Sequence, residues 1–174
     1  MILMPFTPFH LGPGLALGLA LRKWLHPPTF IIANVVLDVE PFLVIVLGLE
    51  GPLHGISHTF IFAAVAGAVC GGVMKMLEGR LGGLFRALRI EGAGQGASTG
   101  IKAFIVSGIA GCTLHVLFDA PLYADIRPLF PLEVNPLYSV VSGTMVYIMC
   151  IVLGLAGLAI YGMVLFSDRG KARQ

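Results

Sequence analysis

A backbone placed in hydrocarbon finds no water to bond with, so a long apolar stretch is stable there only when its own N–H and C=O groups pair, as they do in a helix. Four stretches of this chain meet that condition, at about 29–49, 55–76, 101–123 and 138–166. Each approaches or exceeds the roughly 20 residues that a bilayer core requires. A fifth, at about 11–25, is shorter and opens near Pro13, a residue that suits a helix start. It reads as a short tilted span or a re-entrant arm. Composition agrees: 57% of the 174 residues are hydrophobic and 11% charged, against about 25% charged in soluble domains. The expected fold is all-α, a polytopic bundle of four to five membrane spans forming one integral-membrane domain over 1–174. A net charge of +2 without a basic, aromatic-interleaved stripe argues against nucleic acid as a partner. Cys70, Cys112 and Cys150 each lie inside an apolar run and read as small core residues. The first 21 residues carry no cation and are broken by Pro5, Pro8 and Pro13, so a cleavable signal peptide is not expected.

The Lys and Arg residues set an orientation. Arg22 and Lys23 follow the short first run, while Lys75, Arg80, Arg86, Arg89 and Lys102 separate the third and fourth. Arg169, Lys171 and Arg173 close the chain. The connection at 50–54 has no cation, and the outer loop at about 124–137 has only Arg127. The positive-inside rule then puts 22–28, the loop at about 77–100 and the C-terminus in the cytoplasm of a bacterial or archaeal cell. Within the cytoplasmic loop, "LEGRLGGLFRALRI" suits a short interfacial helix, and "EGAGQGASTG" a flexible linker. Gly14/Gly18 and Gly67/Gly71 have the four-residue spacing of closely packed helices.

Against this background a few polar residues stand out, because a charge at membrane depth costs on the order of 3 kcal/mol or more. They are Asp38 and Glu40 in "NVVLDVEPF", His54 and His58 in "LHGISHT", His115 and Asp119 in "LHVLFDA", and His10 at the head of the first run. His54 and His58 are four apart, as are His115 and Asp119, so each pair shares a face if helical. With the orientation above, all of these groups fall in the outer half of the bilayer. Pro41 removes a backbone bond to the carbonyl of Leu37 and disfavours helix at Glu40, which predicts a kink beside Asp38. His26, beside Arg22 and Lys23, reads as a cytoplasmic flank.

There is no buried Lys or Arg to neutralise Asp38 and Asp119, and a divalent metal would. Neutral imidazole and ionised carboxylate are its usual ligands. His58, His115, Asp38 and Asp119 make one site with an open position; adding His10, His54 and Glu40 gives enough ligands for two ions. Zinc is the first candidate and manganese the second. An uncoordinated carboxylate, Glu40 or Asp38, would serve as general base, and Arg127 in the outer connection would bind a phosphate.

The set "TPFHLGPG", "NVVLDVEP", "HGISHTF" and "LHVLFDAPLY", followed by a Pro-rich outer stretch, resembles the membrane-bound metal-dependent hydrolases, small multi-span proteins of bacteria and archaea. The resemblance covers residues 7 to about 137. It departs from the better-known branch of that family, whose third-segment motif is H-R-G-x-T-H-S and whose second-segment motif is P-D-I/L-D. The resemblance implies His10, Asp38, His58, His115 and Asp119 as metal ligands and hydrolysis as the activity. Depth at the headgroups suggests a lipid phosphoester as substrate, with membrane lipid as environment; the sequence names no protein partner. Transport of a metal or proton through the same ligands is the alternative function, and a non-catalytic membrane protein a further one. An intramembrane metalloprotease fits poorly, because Gly55 stands where H-E-x-x-H has its glutamate. The orientation predicts that green fluorescent protein fused after Gln174 fluoresces in intact cells while a periplasmic phosphatase fused there stays inactive; the opposite pair of signals would invert the topology.

Overall fold

The computed structural model describes residues 8–50, 52–91 and 100–171. Among them every regular element is helical: α1 (Pro8–Ala20), α2 (Pro27–Val36), α3 (Val39–Leu47), a single 3-10 turn (Ile56–His58), α4 (Phe60–Ala87), α5 (Ile101–Asp119) and α6 (Gly143–Lys171). Four stretches are long and apolar enough to cross a membrane: Pro27–Leu47, which joins α2 and α3, then Phe60–Ala87, Ile101–Asp119 and Gly143–Ser167. The 13 residues of α1 measure about 20 Å at the helical rise, less than a hydrocarbon core of about 30 Å. The linker at 92–99 and Arg173 lie outside the described residues.

Helix α5 lies between α4 and α2, while α1 packs on α2 and α6. Small residues make these crossings possible. A Cβ on Gly108 would fall on the carbonyl of Gly67, and one on Gly71 on that of Phe104, so α4 and α5 touch backbone to backbone. Gly111 meets the Phe30 carbonyl and Ala33 of α2 in the same way. Gly12 and Gly157 do this for α1 and α6. Hydrocarbon offers no hydrophobic drive between helices, so such close approach supplies the attraction through dispersion.

Several boundaries differ from the sequence expectation. Helix α4 starts at Phe60 rather than near 55 because Thr59 is extended (φ −107°, ψ 149°) and its hydroxyl caps the Phe62 N–H at 3.1 Å. The Phe60 N–H is taken by the carbonyl of Pro128 at 2.9 Å. His54 and His58 therefore do not share a helical face. At its other end α4 continues to Ala87, so "LEGRLGGLFRALRI" is mostly the end of a 28-residue helix, not a separate interfacial one. Phe85 explains the continuation: it is buried with Met74 and Phe104. Helix α5 stops at Asp119 and α6 begins at Gly143, each inside the expected run.

His26 is also a correction. It is 5% exposed, not a solvated flank. Its N–H donates to the Ser107 hydroxyl at 2.7 Å, its Nδ1 pairs with the Thr29 hydroxyl at 2.8 Å, and its ring stacks on Phe104 with centroids 4.1 Å apart. Burial drives its pKa down from 6.5 to about 4, with smaller opposing effects from Glu78 upward and Lys75 downward.

Two outcomes follow for stability in detergent. Gly108→Ala should lower it by about 1–3 kcal/mol through overpacking, whereas Gly72→Ala, where an added Cβ meets nothing, should be neutral or slightly stabilising; equal melting temperatures for both variants would refute the crossing. Because the folded pKa of His26 lies below its unfolded value, its contribution is complete above pH 6.5 and is lost as pH falls toward 4, at up to about 1.4 kcal/mol per pH unit. His26→Gln should flatten that part of the stability–pH curve, measured as the unfolding midpoint from pH 7 to 4.

Candidate metal centre

The site begins with a break in a helix. Pro41 has no N–H, so the Leu37 carbonyl accepts from Glu40 at 3.2 Å instead, and the Phe42 N–H bonds the Asp38 carbonyl at 3.0 Å. Helix α2 ends at Val36 and α3 restarts at Val39. Pro41 sits in the first turn of α3, where a missing N–H costs nothing. Glu40 is nevertheless helical, contrary to expectation, because the turn at Leu37–Asp38 absorbs the irregularity before it. Asp38 is thereby buried at 6% exposure, with Oδ1 3.6 Å from His115 Nε2.

Helix α5 delivers the second pair. His115 and Asp119, both fully buried, are one turn apart, with Nε2 and Oδ2 at 3.3 Å. The other Asp119 oxygen, Oδ1, contacts His10 Nε2 of α1 at 3.0 Å. Asn34 of α2 fixes both neighbours: its amide donates to the His10 carbonyl, and its carbonyl accepts from His115 Nδ1 at 3.0 Å. His58 enters from the 3-10 turn, with Nε2 3.8 Å from Asp119 Oδ2 and 3.3 Å from His115 Nε2. One donor atom from each of His10, Asp38, His115 and Asp119 lies within 4.8 Å of the others, and the same holds for His54, His58 and Asp119. All six residues are buried.

Hydrogen bonding assigns the protons. A carbonyl only accepts, so the Asn34 contact places a His115 proton on Nδ1 and, in the neutral ring, the lone pair on Nε2. His58 Nδ1 faces Glu40 Oε2 at 3.3 Å and the Ser57 oxygen at 3.0 Å. The same Glu40 oxygen accepts from the Ser57 hydroxyl and from the Gly55 N–H at 3.2 Å. With the His58 proton on Nδ1, its Nε2 is also a lone pair. Two imidazole lone pairs thus face each other beside a carboxylate. Neither oxygen of Asp38 has a hydrogen-bond partner, nor do Asp119 Oδ2, His54 Nε2 or His10 Nδ1. An unmet buried group costs about 1–3 kcal/mol, more when charged.

These residues fit a divalent cation. Carboxylate oxygens and imidazole nitrogens are the donor set, and the far nitrogens of His54, His58 and His115 are held by an acidic or carbonyl partner, as metal-bound histidines usually are. Protonated imidazoles are the competing way to balance the charge, but they would leave the Asp38 oxygens without a donor.

The other anticipated residues lie around this group. Glu40 orients His58 rather than facing the cluster alone. His54 is held through its N–H and Nδ1 by Asp125, at 3.1 and 3.2 Å, and lies on the Tyr123 ring at 4.2 Å between centroids. Arg127 is exposed and pairs with Glu133 at 3.1 Å. It shares with His54, Gly55, Thr59 and Asp125 the lining of an open cavity of about 420 Å³. Asp125 and Tyr123 are the participants that sequence reasoning missed, and the carboxylate in "LYAD" was the only signal for Asp125; Asn34, one turn before Asp38, reads from sequence as an ordinary helix-packing residue. Burial, and then the Asp119 charge, push the Tyr123 phenol well above its ordinary pKa, so it stays protonated. Comparison with protein families, curated proteins and solved structures finds no match for this chain.

Proposed function

We propose that the protein is an integral-membrane metal-dependent hydrolase that cleaves a phosphoester or lipid headgroup at the outer surface of the cytoplasmic membrane. The single observation that carries this reading is the convergence of Asp38 and Asp119 with His10 and His115 in a buried group where neither Asp38 oxygen nor Asp119 Oδ2 has a donor. Those four residues would hold the ion, zinc before manganese. Such an ion, when bound, lowers the pKa of water from 15.7 to about 7 and polarises an electrophile. Asp38, with no partner on either oxygen, would hold the ion through one and take a proton from the attacking water through the other, left uncoordinated. Glu40 keeps the His58 lone pair turned inward. Arg127, at the rim of the cavity, would exchange Glu133 for a substrate phosphate, which its planar fork can bind with two hydrogen bonds. The resemblance of "TPFHLGPG" and its companion motifs to membrane-bound metal-dependent hydrolases supports the same activity, and the distribution of Lys and Arg supports the outward-facing site.

A transport function would need a polar route leading inward from the cluster. Next to it lies a packed apolar core of Ala33, Leu37, Ala63, Cys112 and Val116 instead, which favours chemistry over passage. Elemental analysis of the purified protein should find at least one divalent ion per chain. His115→Ala and Asp119→Ala should each weaken its binding by at least about 10-fold, since changes even to groups behind the ligands cost 10- to 100-fold. Release of phosphorylated headgroup from phospholipid vesicles should require the ion and stop with chelator. Metal-free wild-type protein, or equal metal in all three, would sink the reading; metal flux into vesicles without hydrolysis would replace it with transport.

A further inference from the structure

The group of His10, Asp38, His115 and Asp119 does not use all the donors that converge here. His54 is 2% exposed and His58 fully buried. Their rings meet edge to face with centroids 4.8 Å apart, and donor atoms from both lie within 4.8 Å of Asp119. His54 Nδ1 is fixed on Asp125, while its Nε2 has no partner. A buried imidazole held on one side by a carboxylate and unsatisfied on the other has the arrangement of a metal-bound histidine.

We propose that His54, His58 and Asp119 bind a second divalent cation beside the first, with the Asp119 carboxylate shared between the two ions. This rests on the reading above, in which the first ion occupies His10, Asp38, His115 and Asp119. The carboxylate touches both groups: Oδ1 contacts His10 of the first, and Oδ2 lies between His115 of the first and His58 of the second. Asp38 and Asp119 stand within the cluster, and Glu40 and Asp125, each about a third exposed at the side chain, lie directly behind His58 and His54. Their negative potential favours a cation on the two imidazoles in front of them. The second ion is also the one nearer the open cavity, since His54 lines it and His10, Asp38 and Asp119 do not. Paired ions that clamp the attacking and leaving oxygens of a displacement suit a phosphoester substrate.

The test is metal stoichiometry on intact protein in detergent, by elemental analysis and by electron paramagnetic resonance after loading with Mn²⁺. Wild type should hold two ions per chain with the spectrum of a spin-coupled pair. His54→Ala should hold one, with an isolated-ion spectrum, and Asp119→Asn should lose the coupled signal. Asp125→Asn keeps the side-chain volume and should weaken only the second ion, roughly 10- to 100-fold, which preserves the test if His54→Ala fails to fold. A wild type holding a single uncoupled ion, unchanged by Asp125→Asn, overturns the second site and leaves the first. A wild type that binds no ion overturns both.

Discussion

Two carboxylates held deep among helices, with no lysine or arginine paired to them among the described residues, are the constraint around which this molecule is arranged. Asp119 is fully buried and Asp38 nearly so, and their described polar neighbours are imidazoles. Desolvating an ionised carboxylate costs several kcal/mol even after relaxation, so the surrounding structure must return that energy. It does so by bringing nitrogen donors from three directions: α1, the turn before α4, and α5. Outer partners turn those donors. Asn34 carries two of these contacts itself, and Glu40 gathers Gly55, Ser57 and His58 on one oxygen.

The scaffold makes this convergence possible by being featureless elsewhere. Helices α2, α4 and α5 approach through glycine and alanine, and where α5 meets α2 the Cys112 thiol also donates to the Ala33 carbonyl at 3.2 Å. The Leu37–Asp38 turn and the 3-10 turn at His58 are where Asp38 and His58 leave a helical path to reach the cluster. Non-helical backbone at such depth is tolerated where it is enclosed by protein, and both turns are largely enclosed.

How much of this could be read beforehand follows from the range of the forces involved. The spans were legible because apolar length alone decides them. Their ends were less so, since Thr59 acts with Phe60, whose N–H is bound by Pro128 far along the chain. His115 and Asp119 announced themselves by helical spacing, and Asp38 by the proline three residues on. The proximity of His54 and His58 was expected for the wrong reason: a coil and a tight turn bring the rings together, not a helix. Asp125, 71 residues from His54, was invisible because its contact exists only after the outer connection folds back. His26 misled in the same way: neighbouring cations suggest water, but Ser107 and Phe104 arrive from another segment to cover it.

One feature of the packing separates the walls of the cluster. Helix α5 is clamped between α4 and α2 by backbone contacts, so His115 and Asp119 stand on a rigid strut. His10 instead stands on α1, a short helix braced by α2 and by α6, whose long surface is the least covered of the four spans. Of the donors in the cluster, His10 is thus the one whose helix leans on the span with the largest uncovered flank.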